Sequence, residues 1–131
     1  MQASRGVWAA EATYPPSTDL TLSSERLPWT IWVKSNVHET VHVADVLRCI
    51  YRSLQTPVTD EEFAALDAGR SFHVHAAYRA RCHRCQTPKE YEEEKKVGVR
   101  RIDFLMGRHM FAGLSASLRD RASGTWILHI L

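Results

Sequence analysis

The strongest constraint on this chain is a change of apolar period between two adjacent stretches. From Asp19 the hydrophobic residues alternate, with Leu20 and Leu22 on one side of a short segment and Trp29, Ile31 and Val33 on one side of the next. Period two places alternate side chains on one face of a strand, so these are two strand candidates. Pro28 cannot donate to a ladder and belongs at a strand start or on an edge. From Val43 the spacing changes: Val43, Val46, Leu47, Ile50 and Leu54 recur as on one face of a helix, leaving Asp45, Arg48 and Arg52 on the other. Strands followed by an amphipathic helix bury their apolar faces by layering helix on sheet, which predicts an α+β fold.

Downstream, Thr59 and Glu62 have the spacing of a capping box, Val58 and Phe63 that of a hydrophobic staple, and Pro57 stops what precedes. A helix is expected from Asp60 to near Asp67. Phe72 to Cys85 alternates like a strand through Phe72, Val74, Ala76 and Tyr78, but also steps like a helix through Val74, Tyr78, Cys82 and Cys85; its length favours helix. Thr87 followed by Pro88 marks another helix start and Gly98 its close, so residues 88 to 96 read as a solvated helix or ordered loop. In the last third, Ile102, Phe104 and Met106 suggest one strand, Gly107-Arg108 a turn, and Met110, Ala112 and Leu114 a partner strand. Ser115 to Gly124 reads as a polar loop, and Thr125 to Leu131 as a strand buried on both faces. The expected architecture is an antiparallel or mixed sheet of four to five strands from residues 19 to 35 and 99 to 131, packed by helices 43 to 54 and 60 to 67. The alternative is β-grasp-like, with Val37 to Val43 as the second strand of an N-terminal hairpin.

A chain of 131 residues can bury one core without staples, and 44% apolar with 24% charged residues is a globular composition. The expected organisation is a tail over residues 1 to 18, with Pro15-Pro16 and candidate anchors at Trp8 and Tyr14, and one domain over 19 to 131. Seventeen basic against fifteen acidic residues give +2, far short of a phosphate-backbone binder, so nucleic acid is not the expected partner. No secretory core opens the chain and no stretch approaches the length of a membrane span, so no membrane association is expected. Three cysteines are odd in number and too few for a disulfide scaffold, which points to a reducing compartment, cytoplasmic or nuclear.

Several runs carry a resemblance: Ala12-Thr13-Tyr14-Pro15-Pro16, Leu27-Pro28-Trp29-Thr30-Ile31, Val43-Ala44-Asp45-Val46-Leu47 and, most specifically, Val99 to Arg108 followed by Phe111-Ala112-Gly113-Leu114. With these the chain resembles, from about Ala12 to Leu131, an uncharacterised domain family abundant in mushroom-forming fungi. His42 stands where that family leads one to expect a helix-capping Thr. The resemblance implies a fungal, basidiomycete, intracellular protein and brings no activity with it.

Cys82-His83-Arg84-Cys85 is a C-x-x-C with His73 and His75 upstream, from which a zinc site can be drawn. Both cysteines extend a helical stripe through Val74 and Tyr78, so packing is the preferred reading and neither zinc nor any other cofactor is expected. Arg101 and Asp103, two apart on the expected strand, would share a face, as would His109 and Phe111 on its partner. A structural ion pair is the preferred reading of Arg101 and Asp103. If the face lined a pocket, Asp103 would be the candidate base and Arg101 or Arg108 an anion clamp, with His109 reaching Asp103 across the hairpin. Arg79, Arg81, Arg84, Arg100 and Arg101 surround the acidic run Glu90 to Glu94. Trp32 faces away from Ile31 and Val33 and is the candidate exposed anchor. With no phosphate loop, dinucleotide fingerprint, nucleophile elbow or zinc-protease motif, the expectation is a module binding a protein or small anionic ligand through Arg101, Arg108, Phe111 and Trp32. A small enzyme around Arg101, Asp103, Arg108 and His109 is the alternative, and the sequence assigns no oligomeric state.

Overall fold

The computed structural model describes residues 9–35, 39–116 and 125–131. The elements run β1 (Asp19–Ser24), β2 (Leu27–Lys34), α1 (Val43–Leu54), α2 (Asp60–Ala64), α3 (Ala68–His83), α4 (Pro88–Val97), a 3-10 helix (Arg101–Leu105), β3 (Phe111–Ala116) and β4 (Thr125–Ile130). The fold is α+β. The chain divides into two compact units, Met1–Ser53 with Met110–Leu131, and Leu54–His109.

The first unit is built on one mixed sheet of order β2-β1-β4-β3. β1 pairs antiparallel with β2, with Leu20 opposite Val33 and Leu22 opposite Ile31, and parallel with β4, with Leu22 opposite Trp126. The alternation of Leu20, Leu22, Ile31 and Val33 puts all four on the buried face, where Leu128 and Ile130 of β4 join them. The opposite face carries Trp32, exposed as expected, and His129. β4 is therefore buried on one face, not both: it is central in the sheet, but only one side of that sheet is covered. Val43, Val46 and Leu47 of α1 lie over β3 and Trp126 around a small apolar cavity of about 240 Å³.

α1 spans the residues its apolar spacing predicts. One of its outward positions is misjudged from spacing alone, since Asp45 is buried. Its carboxylate accepts the backbone N–H of His42 at 2.9 Å and pairs with Arg48 at 3.0 Å, so Asp45 supplies the reach-back half of a capping box at this helix start. Residues upstream of β1 are tied to the same corner, with Ala12 N–H donating to Val41 O and Val43 N–H to Ala10 O. In the β-grasp alternative Val37–Val43 is the second strand. That role belongs instead to Leu27–Lys34, and Val43 begins α1; residues 36–38, Trp8 and most of the 115–124 loop lie outside the described residues.

In the second unit the expected helices form. Thr59 and Glu62 make the reciprocal capping box, but α2 ends at Ala64 rather than near Asp67. Asp67 instead caps α3, accepting the Arg70 N–H at 2.7 Å. α3 resolves the ambiguous segment as helix, burying Val74 and Cys82 on the expected stripe. Thr87 caps α4 with Pro88 in the first turn, and Gly98 closes it at φ 86 and ψ −152, a conformation essentially restricted to glycine.

The hairpin over residues 99 to 114 is corrected. Residues 101–105 form a 3-10 helix, and β3 pairs with β4 rather than with a strand before Gly107. Local hydrogen bonds override the alternation: Asp103 Oδ2 accepts the Arg100 N–H at 2.9 Å, and Met106, in the left-handed region at φ 54, donates to Asp103 O. The buried residues are consecutive, Asp103, Phe104 and Leu105, which a strand half-buried on one face does not permit.

Candidate functional site

The second unit contains a groove of about 700 Å³, within the range of small-molecule sites. One wall is α3 with its C-cap, contributing His73, Ala76, Ala77, Ala80, Arg81 and Arg84. The other is the 3-10 helix and the turn after it, contributing Ile102, Asp103, Met106, Gly107, Arg108 and His109. The helical wall follows from spacing, since His73, Ala77, Ala80 and Arg84 recur at i, i+4, i+7 and i+11, one stripe of a helix. The small alanines leave the space. The opposite wall turns back through two consecutive positive-φ residues, Met106 and Gly107, the second at φ 86, which glycine adopts without strain.

The walls are fixed by an ion cluster. Arg81 Nε donates to Asp103 Oδ1 at 2.9 Å and a terminal nitrogen to Oδ2 at 3.1 Å, a bidentate pair. The same guanidinium donates to Glu94 at 3.0 Å and to the carbonyl of Gly98 at 3.2 Å. Arg100 reaches Glu94 at 3.0 Å and the Gln55 carbonyl at 2.6 Å. One Arg81 side chain thus joins α3 to the end of α4 and to the 3-10 helix. Asp103 is 3% exposed, so its charge requires this compensation. Burial works to lower the Arg81 pKa, but the hydrogen bonds and charges of Asp103 and Glu94 outweigh it and raise the net value. The hydrogen bond from Arg100, opposed by partial burial and reinforced by Arg81, holds the Glu94 carboxyl below the ordinary glutamate range.

That shift has a sign. A carboxyl whose pKa is lower folded than unfolded contributes stability above its unfolded pKa, and the contribution is lost as pH falls through the folded value. In urea titrations at a series of pH values, Glu94→Gln is expected to be less stable than wild type at pH 7 and to show a shallower loss of unfolding free energy below the glutamate range. Parallel acid limbs for the two proteins would refute the coupling.

The residues singled out from sequence divide between the units. Asp103, Arg108 and His109 line the groove, with His73 opposite them on α3. Arg101 is not part of the lining; its backbone N–H donates to Thr56 O, and Asp103 pairs with Arg81 instead. His109 and Phe111 share no strand, because β3 begins at Phe111, which lines the apolar cavity of the first unit. Trp32 is also in the first unit, with the Lys34 ammonium 4.2 Å above its ring and its indole N–H 3.4 Å from Asp19. Cys82 is buried and Cys85 half-buried, and His75 tilts against Tyr78. Among the described residues no three His, Cys, Asp or Glu side chains are placed to hold a metal ion. Burial first, then Cys82 and the acidic Glu94 and Glu90, pushes the Cys85 thiol above its ordinary range, opposite to what a reactive thiolate needs.

Arg84 and Arg108 are both exposed, and neither side chain has a hydrogen-bond or ion-pair partner among the described residues. With Arg81 and Asp103 offsetting each other, the remaining charge at the groove is cationic. His109 Nδ1 lies 3.2 Å from Gly107 O, which fixes the orientation of its ring beside Arg108.

The fold and site define an α+β protein with a basic, aliphatic-walled groove. The chain belongs to a family of unknown function, DUF6699, whose model matches residues 1–124. Neither a curated protein nor a solved structure matches the chain. No helix among the described residues is long and apolar enough to cross a membrane.

Proposed function

We propose that this protein is a binding module whose groove between α3 and the 3-10 helix takes a small anionic ligand. The observation that carries the reading is that Arg84 and Arg108 line one groove with their guanidinium groups uncommitted among the described residues. A guanidinium presents donors in a fork that matches a carboxylate or phosphate, and two beside an apolar wall make an anion site. The binding reading is preferred to the enzymatic one because both oxygens of Asp103 are already occupied, by Arg81 and by the Arg100 N–H, so the carboxylate that the enzymatic reading needs as its base is committed to the structure. The cysteine usage supports a cytoplasmic or nuclear location, and the resemblance of the Val99–Arg108 run supports a basidiomycete origin.

The test is a thermal-shift panel of small carboxylates, phosphate esters and sulfonates on wild type and on Arg84→Ala/Arg108→Ala. A ligand that binds only the folded state raises the melting temperature by mass action. At least one anion is expected to stabilise wild type, with affinity at least about tenfold weaker in the double variant, the scale of one charge-assisted hydrogen bond. No stabilising anion, or equal stabilisation of both proteins, would reject the proposal.

A further inference from the structure

We infer that the groove's ligand is an aliphatic chain carrying a single anionic head, an inference that rests on the anion-binding reading above and names its ligand class. Beside the cationic groups the apolar lining is Ala76, Ala77 and Ala80 on one wall and Ile102 and Met106 on the other. Among the described residues no Phe, Tyr or Trp lines the groove, so it lacks the large aromatic faces on which a nucleobase stacks best. Among the described residues, hydroxyl and amide side chains, which would orient a sugar or a peptide backbone, are absent from the lining as well. The polar lining is Arg84, Arg108 and two histidines, with Arg81 and Asp103 engaged with each other.

The shape agrees with the chemistry. His73 to Arg84 covers eleven helical steps, and at about 1.5 Å per residue the wall is about 16 Å long. An elongated apolar trough with unspent guanidinium groups complements a flexible chain with one charged end. Flexible aliphatic side chains such as Met106 adapt to such a chain without demanding a fixed shape.

The experiment is calorimetric titration with hexanoate, octanoate, decanoate, neutral octanol and inorganic phosphate, on wild type, Arg84→Ala/Arg108→Ala and Ala80→Leu. Ala80 is exposed on α3, and leucine is a good helix former there, so the last variant fills the trough without disturbing the core. Affinity is expected to rise along the fatty acid series by up to about fourfold per buried methylene. Octanol should bind at least about tenfold more weakly than octanoate, the scale of a charge-assisted hydrogen bond. Ala80→Leu should lose the chain-length dependence while retaining whatever weak phosphate binding the wild type has; the arginine double variant should lose the preference for octanoate over octanol. If phosphate or short anions bind through Arg84 and Arg108 but affinity is flat from hexanoate to decanoate, the ligand class is wrong and the anion site stands. If octanol binds as tightly as octanoate, or no member of the series and no anion binds, the anion reading falls with it.

Discussion

Asp103→Asn is expected to lower the unfolding free energy by about 3 kcal/mol, at the lower end of what removing one partner of a buried ion pair costs. Asp103 is nearly inaccessible, and its two oxygens accept three hydrogen bonds, two from Arg81 and one from the Arg100 backbone. An asparagine can satisfy at most one oxygen's worth of this set, and its amide nitrogen would point a donor at another donor. The cost stays at the low end because Arg81 keeps Glu94 and the Gly98 carbonyl, so its charge is not stranded. Glu93→Gln, one residue from Glu94 but exposed, serves as the control and should lie within about 0.5 kcal/mol of wild type. Urea denaturation of the three proteins decides the matter. An Asp103→Asn curve superimposable on wild type would mean that the cluster adds nothing to stability and that Asp103 is held for another purpose.

Leu22→Ala is expected to cost about 3 to 5 kcal/mol, the range for removing a fully buried leucine from a core that cannot close over the space. Leu22 has no exposed surface and sits in β1, flanked by Ile31 on the antiparallel side and Trp126 on the parallel side. A strand paired on both edges has little freedom to shift into the void. The contrast is Trp32→Ala in the neighbouring strand: a larger side chain, but 63% exposed and held by a surface cation contact, with an expected cost of about 1 kcal/mol or less. If the tryptophan substitution proved the more damaging, the assignment of the covered face of the sheet would be wrong.

Periodicity located most of the scaffold. The alternation of Leu20, Leu22, Ile31 and Val33 identifies the face they bury, and the spacing of Val43 to Leu54 gives α1 its full span. Capping chemistry located the starts of α2 and α4 through Thr59 and Thr87. Periodicity failed where a polar side chain closed a local ring of hydrogen bonds. Ile102, Phe104 and Met106 alternate, but Asp103 capping its own turn, followed by the left-handed Met106 and Gly107, makes a 3-10 helix of them. The site was half legible for the same reason. Asp103, Arg108 and His109 were recognisable as a polar cluster near one another in sequence. Arg81 lies 22 positions from its partner Asp103, and no local pattern ties one to the other. The signal that could have found it is the stripe His73, Ala77, Ala80, Arg84: small residues between polar ends on a helix whose buried side is already occupied by Val74 and Cys82.

The groove divides its arginines by occupation. Arg81 is consumed in holding the walls, while Arg84 and Arg108 are exposed and hold nothing among the described residues. Substitutions at the rim are therefore nearly free of consequence for folding, whereas those at the wall are not. A chain built this way can change what it recognises by exchanging two exposed side chains and the alanines beside them, on a frame that does not register the change. Selection for a new ligand and selection for a stable fold would act on separate residues, and the record of each could be followed independently.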